Sequence, residues 1–203
     1  MRKHQVFSVA ILSTAIFGFC ISDTENDLTS IEKTLITKSK IMEAKAFAIQ
    51  NKMDTTVAIF VDFSIPSGKY RMFVWDYTQT RIVKSVLCAH GSGNSSFVSD
   101  DKVVFSNVPE SHYSSKGKYK IGSRGWSNWG IHVNYKLHGL ESTNNNAFKR
   151  IIVLHSYDMV EDAEIYPEEL VNSWGCPMVS NNSMKYLDEV LKEAKQPVLL
   201  WVY

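Results

Sequence analysis

The chain has 203 residues, 44% of them apolar, with 22 Lys and Arg against 21 Asp and Glu. A near-neutral balance with no basic cluster argues against nucleic acid or an anionic membrane surface as partner, because both require a concentrated positive field. The length suffices for one sizeable core.

Residues 1–22 read as a secretory signal. Arg2, Lys3 and His4 give a positive start, and Val6 to Phe19 is an apolar stretch short for a membrane span. Cys20 and Ser22 are small enough for cleavage after Ser22, with an uncleaved anchor as the alternative. Removing Arg2 and Lys3 takes the 22 basic residues to 20 and leaves the mature chain nearly neutral. The expected location is the periplasm or cell envelope, with no stable membrane partner beyond the signal. An exported compartment permits a disulfide between Cys88 and Cys176. Their settings differ, however: Cys88 lies in the apolar run Val83 to Ala89, as a buried free thiol would, and Cys176 lies in a Gly-Pro turn.

Residues 23–56 form an N-terminal helical segment in this reading. Between Asp27 and Met53 the apolar residues Leu28, Ile31, Leu35, Met42, Ala46, Ile49 and Met53 recur at spacings of three, four and seven, which defines one helical face. That face is expected to pack on the main domain.

Residues 57–203 change to strand patterning. Val57, Ile59, Val61 and Phe63 alternate, Pro66-Ser67-Gly68 turns the chain, and Tyr70 to Asp76 and Arg81 to Ala89 follow at hairpin spacing. An antiparallel meander is expected. The loop His90 to Ser96 is rich in Gly and Ser but lacks the Gly-Lys-Ser/Thr of a phosphate cradle. Ser106 to Tyr119 reads either as a surface loop or as a substrate-binding wall that includes His112 and Ser115, leading into a strand at Lys118 to Ile121. Trp126 and Trp129 close a core edge or bind a ligand. Further strands are expected at Ile131 to Leu137 and at Arg150 to Leu154, the second delivering His155 at its end. After an acidic loop at Asp158 to Glu169, Ser183 can cap a helix carrying Met184, Leu187, Leu191 and Ala194 on one face. Val198 to Tyr203 suits a central or closing strand. No internal repeat or dividing linker is visible, so the fold class is mainly β with α, in one domain.

Six His residues invite a metal reading. His132 and His138 are six apart with no helical His-Glu-x-x-His pattern, and no second His lies two residues from His155, so zinc would need scattered ligands. No metal or other cofactor is expected.

The chemistry concentrates on Ser173-Trp174-Gly175-Cys176-Pro177. A thiol acts as thiolate and needs a neighbouring base or cation. His155 is the candidate base. Gly175 leaves the N–H groups of Gly175 and Cys176 without side-chain cover, so they can meet a developing oxyanion, and Pro177 fixes the exit of the turn. His155 precedes Cys176, the reverse of the papain-like order.

His155-Ser156 followed by Ser173-Trp174-Gly175-Cys176 resembles the motif of the YkuD-like L,D-transpeptidase fold, and the Trp-Gly-Cys-Pro variant resembles its murein L,D-transpeptidase catalytic domain branch. Supporting stretches are Val61 to Ser64, Ala89 to Gly91, Phe105 to Pro109, Ser114 to Gly117 and Gly139 to Glu141. The resemblance implies a β-sandwich catalytic domain with an embedded helix, acting as a monomer on peptidoglycan stem peptides. Cys176 would be the nucleophile and His155 the base, its ring held by the carbonyl of Ser156. Gly175, Cys176 and Trp174 would line the oxyanion site, and Ser173, Trp174, His112 and Ser115 would meet substrate. Trp174 stands where the motif has His, and Met178 where it has Asn or Arg. A non-catalytic wall-binding domain on the same fold, or a metal-dependent wall peptidase, are the alternatives.

Overall fold

The computed structural model describes residues 35–95 and 103–203. The expected signal at residues 1–22 lies outside them, as does the first part of the helical segment. Helix α1 spans Lys38–Gln50, with Thr37 as N-cap accepting the Lys40 N–H at 3.3 Å. Its inward face differs from the one the spacing suggests. Ala44 and Ala48 are buried, whereas Met42 and Ile49 are more than half exposed. Ala44 and Ala48 let the helix lie close to the sheet, and half-buried Ile41 and Phe47 flank them against the same core.

Eight strands follow: β1 Val57–Val61, β2 Met72–Asp76, β3 Arg81–Val86, β4 Gly117–Trp126, β5 Val133–Gly139, β6 Val153–Ser156, β7 Met178–Val179 and β8 Leu199–Val202. They join one sheet in the order β3-β2-β1-β8-β4-β5-β6-β7. The expected meander is present as antiparallel β1, β2 and β3. The C-terminal strand β8 is central, parallel to β1 and antiparallel to β4, and so joins the meander to the remaining strands. The sheet is thus continuous where a sandwich of two sheets was expected.

Ala58, Phe60, Phe73, Trp75, Leu199 and Trp201 pack against Ala44 and Ala48 of α1. Ile59, Val61, Val74, Leu200 and Val202 face the other way and share a core with Tyr135, Leu137, Leu154 and Val179. Helix α2, Asn181–Glu193, inserts Met184 and Leu187 into that core. Both arms of the sheet therefore curl around α2. Its N-cap is Ser180, which accepts the Ser183 N–H at 3.1 Å, rather than Ser183 itself.

The strand expected at Arg150 to Leu154 begins only at Val153. Ile151 sits at φ 58° and is 69% exposed, because the chain is still turning there. Candidate strand β4 is longer than Lys118 to Ile121 and carries Trp126 at its end.

Candidate active site

Strands β5, β6 and β7 turn one face to the shared core and the other to an open cleft of about 820 Å³. Alternation sorts the residues: Tyr135, Leu154 and Val179 point inward, while Asn134, Lys136, Val153, His155 and Met178 line the cleft. Register places Asn134 opposite His155, Lys136 opposite Val153, and Met178 beside His155. Cys176 enters two residues before Met178, at the level of Val153, and its Sγ accepts the Val153 N–H at 3.5 Å. Cys176 and His155 thus meet in one cleft.

His155 is buried, and its Nδ1 lies 3.0 Å from the Ser156 carbonyl. A carbonyl only accepts, so Nδ1 carries the proton and Nε2 is the basic atom of the neutral ring. Burial holds the ring below its ordinary 6.5, against the Ser156 hydrogen bond, which raises it. Burial likewise pushes the Cys176 thiol above its ordinary value, although the Val153 N–H and the charges of Arg150 and Lys136 pull it down. The resting pair is therefore a neutral thiol beside a neutral imidazole. No hydrogen bond links Sγ to His155 among the described residues.

The Cys turn is held by its own backbone geometry. Trp174 and Gly175 have φ of 56° and 110°. At the second of these any other side chain is strained, and a Cβ would also stand 3.0 Å from the Tyr113 carbonyl oxygen. Ser173 Oγ donates to the Cys176 carbonyl at 2.5 Å, and its N–H donates to the His90 carbonyl at 3.2 Å. Ser173 therefore lines the cleft and closes the turn. Neither Gly175 nor Cys176 spends its backbone N–H on an acceptor among the described residues. Trp174 does, giving its N–H to Asn172 Oδ1 at 2.9 Å. Its backbone is thus removed from the expected oxyanion set, and its ring lies exposed on the rim, stacked on His112 at 5.5 Å.

His112 reaches the cleft, with Nδ1 2.8 Å from Asn94 Oδ1. Ser115 does not. It is buried behind the wall, donating to the Ser106 carbonyl at 3.0 Å and accepting from Arg150 at 2.6 Å. The two cysteines among the described residues, Cys88 wholly buried and Cys176 in the cleft, are unbridged. Burial pushes the Cys88 thiol up to about 12. It is too deep and too basic to compete as nucleophile.

Three contributors were not legible as site residues. Asn172 staples the turn to the Gly-Ser loop: Oδ1 also accepts the Ser92 N–H at 3.2 Å, and Nδ2 donates to the Gly93 and Ser95 carbonyls at 2.9 and 2.6 Å. Arg150 donates to the Ser106 and Tyr113 carbonyls and to the Ser111 and Ser115 hydroxyls, so it holds the wall in place. Ser114 accepts the Gly91 N–H and donates to the Gly175 carbonyl. Their partners lie far along the chain, and no local spacing signals them. Beneath this layer, wholly buried Arg71 donates to the Cys88 carbonyl and to His90 Nδ1, fixing the loop on which the turn rests.

No curated protein matches the chain. Among solved structures, similarity extends to the helical cell shape determining protein Pgp2 of Campylobacter jejuni, at 10% identity and a TM-score of 0.44 over 72% of this chain and 47% of that one. The chain thus spans about half the length of that protein. An L,D-transpeptidase of Xylanimonas cellulosilytica is similar at 12% identity and a TM-score of 0.40, over 78% of this chain and 68% of that one. The model of the L,D-transpeptidase catalytic domain matches residues 29–203, which include both arms of the sheet, His155 and the Cys176 turn. The chain belongs to the L,D-transpeptidase catalytic domain family.

Proposed function

We propose that the protein is an exported, cysteine-dependent L,D-transpeptidase or L,D-carboxypeptidase acting on peptidoglycan tetrapeptide stems. The observation that carries this reading is the cleft shared by Cys176 and His155, with Nδ1 of the ring committed to Ser156 and Nε2 left as base. The Cys176 Sγ attacks the carbonyl between the third residue and the terminal D-alanine, and its proton passes to His155 Nε2. The uncommitted N–H groups of Gly175 and Cys176 receive the oxyanion; one such donor is worth about 2.7–4 kcal/mol. As the tetrahedral adduct collapses, the C–N bond breaks and the same proton leaves on the amine of D-alanine. An amine of a second stem, or water, then attacks the thioester as its proton passes to His155 Nε2, the C–S bond breaks, and that proton returns from His155 to the released Sγ of Cys176. Export rests on Arg2, Lys3 and His4 ahead of the apolar run Val6 to Phe19.

The raised thiol and its lack of a bond to His155 in the resting cleft favour a second reading, a wall-binding domain without turnover. Substrate closing the cleft distinguishes the two, because catalytic hydrogen bonds commonly tighten only in the complex. Mass spectrometry of tetrapeptide muropeptides incubated with the protein is the test. Loss of D-alanine and a thioester on Cys176, both absent in Cys176→Ala and kept in Cys88→Ala, are expected. Wall binding with no such products would establish the second reading.

A further inference from the structure

The cleft floor holds two cations, and they are used differently. Arg150 is spent on two carbonyls and two hydroxyls of the wall. Lys136 is half-buried on β5 and lines the cleft, and its ammonium has no hydrogen bond or ion pair among the described residues. Among the described residues the one carboxylate on the lining, Glu110, sits exposed on the rim and is not paired with it. An ammonium that lines the cleft without a counter-charge among the described residues is available to an anion that arrives with the ligand.

Position defines that anion. Lys136 faces Val153 across the β5–β6 ladder, and the Val153 N–H touches Sγ of Cys176. Neighbouring strands lie about 4.8 Å apart. The ammonium therefore lines the cleft on the β5 side of the nucleophile, near enough for its charge to pull the Cys176 thiol down. In a stem that ends one residue past the scissile bond, the anionic group next to the scissile carbonyl on the leaving side is the terminal α-carboxylate.

We propose that Lys136 binds the free C-terminal carboxylate of the residue to be expelled, so that the cleft reads a chain end and selects donors terminating one residue beyond the scissile bond. This rests on the acyl-donor reading above. It makes the carboxylate the feature that separates substrates from internal peptides, from C-terminal amides and from stems longer by one residue.

The test uses the full protein and two reagents that differ only in charge. Alkylation of Cys176 by iodoacetate and by iodoacetamide is followed on the Cys176 peptide by mass spectrometry. Both reagents need the same thiolate, so the ratio of their rates cancels any effect of Lys136 on thiol acidity and isolates carboxylate recognition. In Lys136→Met the iodoacetate/iodoacetamide ratio is expected to fall about tenfold at low salt, with a smaller fall as salt screens the charge. Lys136→Arg should keep the ratio within about threefold, since the charge is retained. A ratio unchanged in Lys136→Met, or lost equally in Lys136→Arg, overturns the proposal. With tetrapeptide stems, Lys136→Met should raise KM for the acid by more than it changes KM for the C-terminal amide, since any effect on thiol acidity is common to both substrates. A fallen alkylation ratio with no stem turnover in the native protein would keep the anion site and reject the donor reading instead.

Discussion

Replacing Gly91 by Ala should disable the site while leaving both cores intact. A Cβ there would lie 2.1 Å from the Gly175 nitrogen, 2.2 Å from the His112 carbonyl oxygen and 2.5 Å from the Gly175 Cα. Ordinary contacts between such atoms fall near 3.5 Å, so each neighbour must move by about 1 Å. All three are backbone atoms. No rotamer change relieves them, and the displacement passes directly into the Cys turn and the His112 wall. Overpacking of this kind costs about 1–3 kcal/mol of stability, and a misplacement of about 1 Å at the chemistry costs on the order of 10²-fold in rate. Denaturant unfolding measures the first, and single-turnover formation of the Cys176 thioester with tetrapeptide stems measures the second. Gly125→Ala is the comparison, because its nearest obstacle is a side-chain atom, Asn134 Oδ1, at 3.0 Å. If Gly91→Ala unfolds at the native denaturant midpoint and acylates within about twofold of the native rate, the tight approach of the two loops is refuted.

Because burial raises the Cys176 thiol, its alkylation rate should keep climbing through pH 9.0, the ordinary thiol value, and a plateau near pH 6 would instead reveal a preformed thiolate–imidazolium pair. His155→Ala should lower stem turnover by roughly 10²–10⁴-fold while leaving that alkylation profile nearly unchanged, since ring and Sγ share no bond in the resting cleft. Equal loss in both assays would show that the two are coupled before substrate binds. Burial would raise the Asp188 carboxyl, but hydrogen bonds from Arg124, Lys192 and Tyr135 outweigh it and hold the group well below 3.8. A depressed folded value contributes stability that is complete above the unfolded value and lost as pH falls through the folded one. Asp188→Asn should therefore cost stability at neutral pH and little in strong acid, and a cost independent of pH would refute the linkage.

The residues proposed to do the chemistry were legible because they are local. The Cys176 turn, the Gly before that Cys and the His at a strand end each occupy a few consecutive positions, and their types are those that a proposed thiol nucleophile, an oxyanion and a proton acceptor need. The meander was legible for the same reason, since hairpin spacing and alternation operate between neighbours. Helix α1 was legible as a helix but not in its buried face. Large apolar residues suggested one side, and the close approach to Phe60 and Trp201 selected Ala44 and Ala48 on another.

What tertiary structure decided is everything that joins distant segments. It alone made Ser115 a buried partner of Arg150 in place of a substrate contact, and spent the Trp174 N–H on Asn172. It alone set Lys136 opposite Val153 and beside Cys176, forty residues apart in sequence and one strand apart in space. The physical reason is that alternation assigns a residue to a face, whereas the register of β5, β6 and β7 determines which residues of that face confront one another. Register is fixed by packing of the whole sheet around α2, a sum over contacts that no single stretch of the chain contains.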